Sequence, residues 1–394
     1  MKDDIRLNNF DMMRLLAASQ VVLIHSIEHL RIPLGSLGMS AYNLLSLFPG
    51  VPIFFVISGF LISMSFERNP DIRTYVRNRL LRIYPALWVC LAVSLLSVTF
   101  LGYWGRSNVS TGSLIVWLIA QVTFAQFYNP DFLRNYGVGV LNGSLWTIPV
   151  ELQFYMLLPS LYFVLRRLEN LYKDVIILTL IAVFAFINHQ FVLSMPKYGE
   201  IIVFKLFGVT VIPYLYMFLI GVFIQRKFLI LRSLLENKAI YWLALYAFST
   251  IFLGSNFGFR TGTNHPNFIT CIILAFAVIS CAFSFKNSSS KILRGNDISY
   301  GTYIYHMVIV NIFVELSLYG KLVNLLLIFL FTYVVSTLSW LYIEKPALSL
   351  KKRALRPVEY QYLEDFRRNG EDTKDIKKLS LIERLLFTTK LGKK

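Results

Sequence analysis

Eleven apolar runs follow one another with only short polar loops between them, and this succession limits the fold more than any other feature. They lie near residues 12–31, 44–65, 84–101, 113–128, 143–165, 174–192, 206–225, 240–254, 268–285, 299–318 and 322–343. A helix needs about 20 apolar residues to cross a hydrocarbon layer of roughly 30 Å, and most of these runs approach that length. Loops this short leave no room for a sizeable soluble domain. The composition agrees, with 56% hydrophobic and 15% charged residues against about 25% charged in soluble domains. The expected fold is all-α, a polytopic transmembrane helical bundle, with residues 1–350 as the membrane domain and 351–394 as a basic tail.

Charge sets the expected orientation. The net charge is +17, but the basic residues sit in loops and in the tail, as membrane orientation requires. No base-reading or stacking module accompanies them, so no nucleic-acid partner is expected. Arg68, Arg73, Arg77, Arg79 and Arg82 make the loop after the second run the most basic, which puts that loop and the N-terminus on the cytoplasmic side. If all eleven runs crossed, Arg166, Arg167, Lys173, Lys291 and Arg294 would face outward. Treating 113–128 as re-entrant or interfacial reverses this, and that run is short and carries Gln121 and Gln126. About ten spans with both termini cytoplasmic are therefore expected. The polar start shows no small-residue cleavage site. The three cysteines read as small core residues, and the end of the tail has some helical amphipathicity, suited to a membrane surface.

Polar groups inside apolar helices are functional candidates by default. Arg14 and His25 stand eleven residues apart, almost three turns and about 16 Å along one helix face. Asp11, three residues before Arg14, can pair with it. His25, Glu28 and His29 form His-x-x-Glu-His, a zinc pattern. A zinc hydrolase needs a further ligand, however, and nothing singles out His189, His265 or His306, so no metal is expected. Ser58 and Gly59 allow close approach of a neighbouring backbone or an acyl chain. Arg79 and Arg82 precede Tyr84-Pro85 at the inner interface, where they can serve as positive-inside anchors or bind phosphates. Ser144-Leu-Trp146-Thr opens a span carrying the carboxylate Glu151, which needs a partner if it stays charged. His306 follows Ser299-Tyr300-Gly301 inside another helix, and Glu344-Lys345-Pro346 closes the last span.

Taken in order, these segments resemble the membrane-bound acyltransferase-3 family, bacterial enzymes that O-acylate sugars and related substrates. The resemblance covers about residues 5–350. It rests on Arg14-x10-His25, Phe54-Phe55-x-x-Ser58-Gly59, Arg79-x-x-Arg82 with Tyr84-Pro85, Ser144-Leu-Trp146-Thr with Glu151 and Phe154-Tyr155, Ser299-Tyr300-Gly301 with His306, and Glu344-Lys345-Pro346. It implies ten transmembrane helices, an acyl-CoA donor on the cytoplasmic side and an essential histidine at position 25. It further implies that the arginines handle the donor. Acetyl is the usual group in the family, and relatives with an extracytoplasmic hydrolase-like domain carry a longer chain than this one.

The expected site places donor phosphates on Arg14, Arg79 and Arg82, with Ser58 and Gly59 nearby and the thioester reaching towards His25. There the imidazole acts as general base or as covalent acyl carrier, its ring oriented by Glu151 or Glu28. The expected acceptor is a glycan or glycolipid such as a surface polysaccharide or its lipid-linked precursor, and the expected location is the bacterial inner membrane. The alternative is a glycolipid flippase, which calls for internal repeats and broken helices in matching halves; no repeat is evident.

Overall fold

A computed structural model describes residues 8–257, 263–285 and 288–351. The tail expected from 351 onward lies outside the described residues, apart from Lys351. Among the described residues there are helices and no strands. The first half of the chain supplies α1 (Phe10–Leu30), α2 (Ser36–Ser46), α3 (Gly50–Arg68), α4 (Ile72–Phe100), α5 (Thr111–Val122), α6 (Thr147–Leu165) and α7 (Asn170–Tyr198). The second half supplies α8 (Ile202–Phe207), α9 (Leu215–Arg226), α10 (Phe228–Leu235), α11 (Ala239–Phe257) and α12 (Phe268–Ala282). It closes with α13 (Ser288–Leu293), α14 (Ser299–Glu315), α15 (Leu322–Ser339), a π-helical turn (Trp340–Glu344) and α16 (Lys345–Ser349).

The bundle is apolar outside as well as inside. Leu96, Phe100, Phe186, Leu326, Leu330 and Val334 are exposed, an arrangement that suits a hydrocarbon surround and is costly in water. Helices satisfy their own backbone groups, which is why this architecture crosses membranes. Among the described residues seven helices are long and apolar enough to cross, or eight if α9 and α10, bent by 95° with the short lead into α9, count as one span. The difference from the ten expected is made by α12, with 15 residues, and α14, with 17. Every residue of α14 from Gly301 to Asn311 is buried. A helix enclosed by protein needs no apolar outer face.

Segment 113–128 has a clear local structure. The last turn of α5 lies beside the middle of α4, where the Tyr84 hydroxyl donates to Thr123 O at 2.7 Å and the Trp88 indole to Val122 O at 3.1 Å. The chain then turns back, and by Tyr136 it meets Ser97 near the far end of α4 at 3.0 Å. Gln121 and Gln126 make the reversal affordable in an apolar setting. Gln126 donates to Gln121 O (2.9 Å) and Thr123 O (3.0 Å), while Gln121 donates to Tyr128 O (3.2 Å). Twelve residues of α5 rise only about 18 Å, too little to cross a hydrocarbon layer of roughly 30 Å.

α3 and α9 make the closest crossing. A Cβ built on Gly59 would lie 2.0 Å from Phe218 O, and one on Gly221 would lie 2.1 Å from Val56 O. Each glycine thus admits the partner backbone, the usual way membrane helices gain packing contact without a hydrophobic drive. The close approach expected at Gly59 is therefore to α9. Ser58, beside it, is half-buried.

Candidate active site

Arg14 sits one turn into α1 and is half-buried. Its guanidinium reaches Asp297, in the turn before α14, at 2.6 Å, and Asp11 on its own helix at 3.4 Å. Arg82 of α4 reaches the same Asp297 oxygen at 2.5 Å and Glu344 at 3.7 Å. The other Asp297 oxygen accepts from the backbone N–H of Ser299 (3.2 Å) and from its hydroxyl. One buried carboxylate thus ties together α1, α4 and the start of α14. Burial raises its pKa, but Arg82 and Arg14 outweigh that and hold the carboxyl well below the usual carboxylate range.

Glu344 comes from the π turn that ends α15, a wide turn of the kind often found at functional positions. It is 2% exposed and accepts from the Ser339 hydroxyl at 3.2 Å. The Trp340 indole anchors the same turn by donating to Asn296 at 2.9 Å. Tyr300 lies under the Arg82 guanidinium, 5.8 Å from its ring centroid, and its hydroxyl donates to Ile83 O at 3.1 Å.

Arg79, one turn earlier on α4, is placed differently. Among the described residues it makes no ion pair; it donates to the Ser65 hydroxyl at 3.0 Å and lies 5.5 Å from the rings of both Tyr75 and Tyr155. Its Nε and the Tyr75 hydroxyl are buried without a hydrogen-bond partner. Buried polar groups are normally satisfied, so this is where the cluster has donors to offer. Glu151 accepts from the Tyr155 hydroxyl one turn along α6.

His25 lies about 16 Å further along α1 than Arg14 and is half-buried. Its Nδ1 is 2.9 Å from Nε2 of His306, a wholly buried residue of α14. His306 Nδ1 in turn lies 2.7 Å from Tyr303 O. The segment opening α6 braces α14 here: Asn142 donates to Ile304 O (2.8 Å), Thr147 and the Tyr303 hydroxyl are 2.9 Å apart, and Tyr303 donates to Ser144 O (3.0 Å). Trp146 packs on Tyr214, with centroids 5.3 Å apart. The ring that holds His25 is thus His306, and neither Glu151 nor Glu28 takes that place. Glu28 is exposed and accepts from the Tyr42 hydroxyl at 3.1 Å. His29 packs 5.7 Å from the His25 ring, and among the described residues no group of three His, Cys, Asp or Glu is arranged to hold a metal.

A family model described as an acyltransferase domain matches residues 7–344. The chain belongs to the membrane-bound acyltransferase-3 family. It is 30% identical over 355 residues to nodulation protein 10 of Rhizobium leguminosarum bv. viciae, covering 87% of this chain and 94% of that one. It is 26% identical over 356 residues to an O-acetyl transferase of Shigella phage Sf6, covering 87% and 96%. A shorter similarity, 25% over 126 residues, links it to the peptidoglycan O-acetyltransferase of Listeria monocytogenes, over 30% of this chain and 20% of that one. No solved structure matches. With its apolar helices, the chain is a multi-pass membrane O-acyltransferase.

For an acyltransferase, the geometry groups the site residues in two places. Arg14, Asp11, Arg82, Glu344 and Tyr300 gather around Asp297, while His25 and His306 meet further along the same two helices. Arg79 and Glu151 share Tyr155 as a neighbour, and Gly59 belongs to helix packing. Asp297, the hub of the first group, escaped the sequence reading. Its signal was faint but present: a single acid three residues after the basic pair Lys291 and Arg294, two residues ahead of Ser299-Tyr300-Gly301.

Proposed function

We propose that this acyltransferase moves an acetyl group from cytoplasmic acetyl-CoA to a hydroxyl of a carbohydrate acceptor, a surface polysaccharide or its lipid-linked precursor, in the bacterial inner membrane. The observation carrying this reading is the run of α1 from the ion cluster at Arg14 to the paired imidazole of His25. A charged nucleotide stays at the membrane edge, and an extended thioester arm is of the right order of length for the distance between them.

Arg79 is the donor-phosphate contact in this reading, because among the described residues its guanidinium has an unused N–H and no carboxylate partner. Arg14 and Arg82 are already paired with Asp297, so they shape that entrance and add their outer N–H groups to it. At the far end, His25 serves as base or as acyl carrier, and both roles need a ring nitrogen with a free lone pair. The names of the relatives, two of them O-acetyl transferases, support acetyl as the group moved.

Membranes holding the protein, given acetyl-CoA labelled in the acetyl group together with the native glycan fraction, test this directly. Label is expected in an alkali-labile ester, with one free CoA released per acetyl transferred. Glycolipid movement across the bilayer without acetyl-CoA consumption would contradict it.

A further inference from the structure

We propose that His306 is a positioning residue that fixes the tautomer of His25, so that the nitrogen facing the reactants is the one with the free lone pair. The inference deepens the reading of His25 given above and rests on it. It starts from an atom that has no choice. A backbone carbonyl only accepts, so the 2.7 Å contact between His306 Nδ1 and Tyr303 O requires a proton on that nitrogen. A neutral imidazole has one N–H, so Nε2 of His306 carries a lone pair. The 2.9 Å contact with His25 then requires the proton on His25 Nδ1. Nε2 of His25 is left bare.

The assignment depends on both rings being neutral. A second proton would place a cation where no carboxylate is hydrogen-bonded to either ring. The anchor is also rigid: Tyr303 is held by Ser144 and Thr147, and His306 is fully buried. In hydrolases with a Ser-His-Asp triad a carboxylate fixes the histidine tautomer. Here a neutral ring backed by a carbonyl does so, which avoids placing a charge in the bundle interior.

The chemistry balances with His25 as base. Its Nε2 takes the acceptor's hydroxyl proton while that oxygen attacks the thioester carbonyl carbon. The C–S bond then breaks, and the proton leaves Nε2 for the departing thiolate, giving the ester and free CoA. During the step the doubly protonated His25 ring keeps its Nδ1–H donated to His306. If the acyl group rides on His25 instead, the same bare Nε2 attacks the thioester and expels the thiolate, then passes the group to the hydroxyl oxygen, whose proton goes to the thiolate.

The test uses full-length protein in lipid nanodiscs with ring-15N histidine, the His25→Ala variant serving to assign signals. The wild type is expected to show His25 protonated at Nδ1, with a cross-hydrogen-bond coupling to Nε2 of His306. His306→Leu should shift the His25 proton towards Nε2 and, with the native glycan fraction present as acceptor, slow CoA release from acetyl-CoA by about 100-fold, with KM for acetyl-CoA unchanged. His306→Gln, whose amide oxygen can take the place of Nε2, should keep the Nδ1–H form and recover at least about tenfold of that loss. A wild-type His25 protonated at Nε2, or a His306→Leu protein with unchanged tautomer or rate, would overturn the proposal. The wild-type spectrum needs no variant to fold. Should the wild type release no CoA from acetyl-CoA in the presence of that glycan fraction, the reading of the reaction fails on its own and the spectrum alone decides the role of His306.

Discussion

Asp297 balances two cations with one carboxylate, and its loss has a definite consequence. Asp297→Asn leaves Arg14 and Arg82 without their closest counter-charge in a partly buried site. Breaking such a pair from one side costs about 3–5 kcal/mol, which should appear as a lowered unfolding temperature in detergent. The pH dependence has a sign. Because the folded carboxyl is depressed, its stabilisation is present above the ordinary carboxylate pKa and lost as pH falls through the folded value. Acid unfolding should therefore move to lower pH in the wild type than in Asp297→Asn. Arg79 calls for a kinetic readout: Arg79→Gln is expected to raise KM for acetyl-CoA by about tenfold, the worth of one charge-assisted hydrogen bond, with little effect on kcat. An effect confined to kcat would remove Arg79 from donor binding. The Arg14-x10-His25 spacing was legible in the sequence because both residues lie on one helix and its period is known. The Asp297 and His306 contacts were not, since they join residues more than 200 positions apart.

Among the elements, α5 and the α3–α9 crossing carry the sharpest consequences. A re-entrant α5 leaves both its flanks on the same side of the membrane. Cysteines placed at Asn108 and Arg134, both exposed, should react with an impermeant thiol reagent from one and the same face; reaction from opposite faces would make α5 a span. Gly59→Ala would press a methyl group onto Phe218 O. Separating the helices costs about 1–3 kcal/mol, so the variant should unfold earlier while leaving KM for acetyl-CoA unchanged; a selective rise in KM would instead put Gly59 on the donor path. Gln121 in α5 and Gln126 just after it were readable as a sign that the run does not cross, because an amide in hydrocarbon needs a partner. The π turn at Trp340–Glu344 was not readable: Glu344-Lys345-Pro346 marks a helix end, but only tertiary contacts turn that carboxylate inward.

Across the whole molecule, polarity is arranged from the inside out. Lipid-facing positions are apolar, while the central helix α14 carries Ser299, Thr302, His306 and Asn311, all buried. The sequence made the helical class plain because every span has to be apolar towards lipid. It also marked the run of α14, but not its enclosure, which leaves that helix free to carry the polar residues that chemistry needs. The family followed from six short motifs in order, each of them weak alone. Their joint meaning is spatial: α1, α4, α14 and α15 bring the cluster around Asp297 to one level and the two imidazoles to another. Whether acyl transfer runs through the second level is answered most directly by His25→Ala, assayed with acetyl-labelled acetyl-CoA and the native glycan fraction in membranes holding equal amounts of inserted protein. Ester formation at the background level, with insertion and unfolding temperature as in the wild type, is the expected result; wild-type ester formation would contradict the role given to His25.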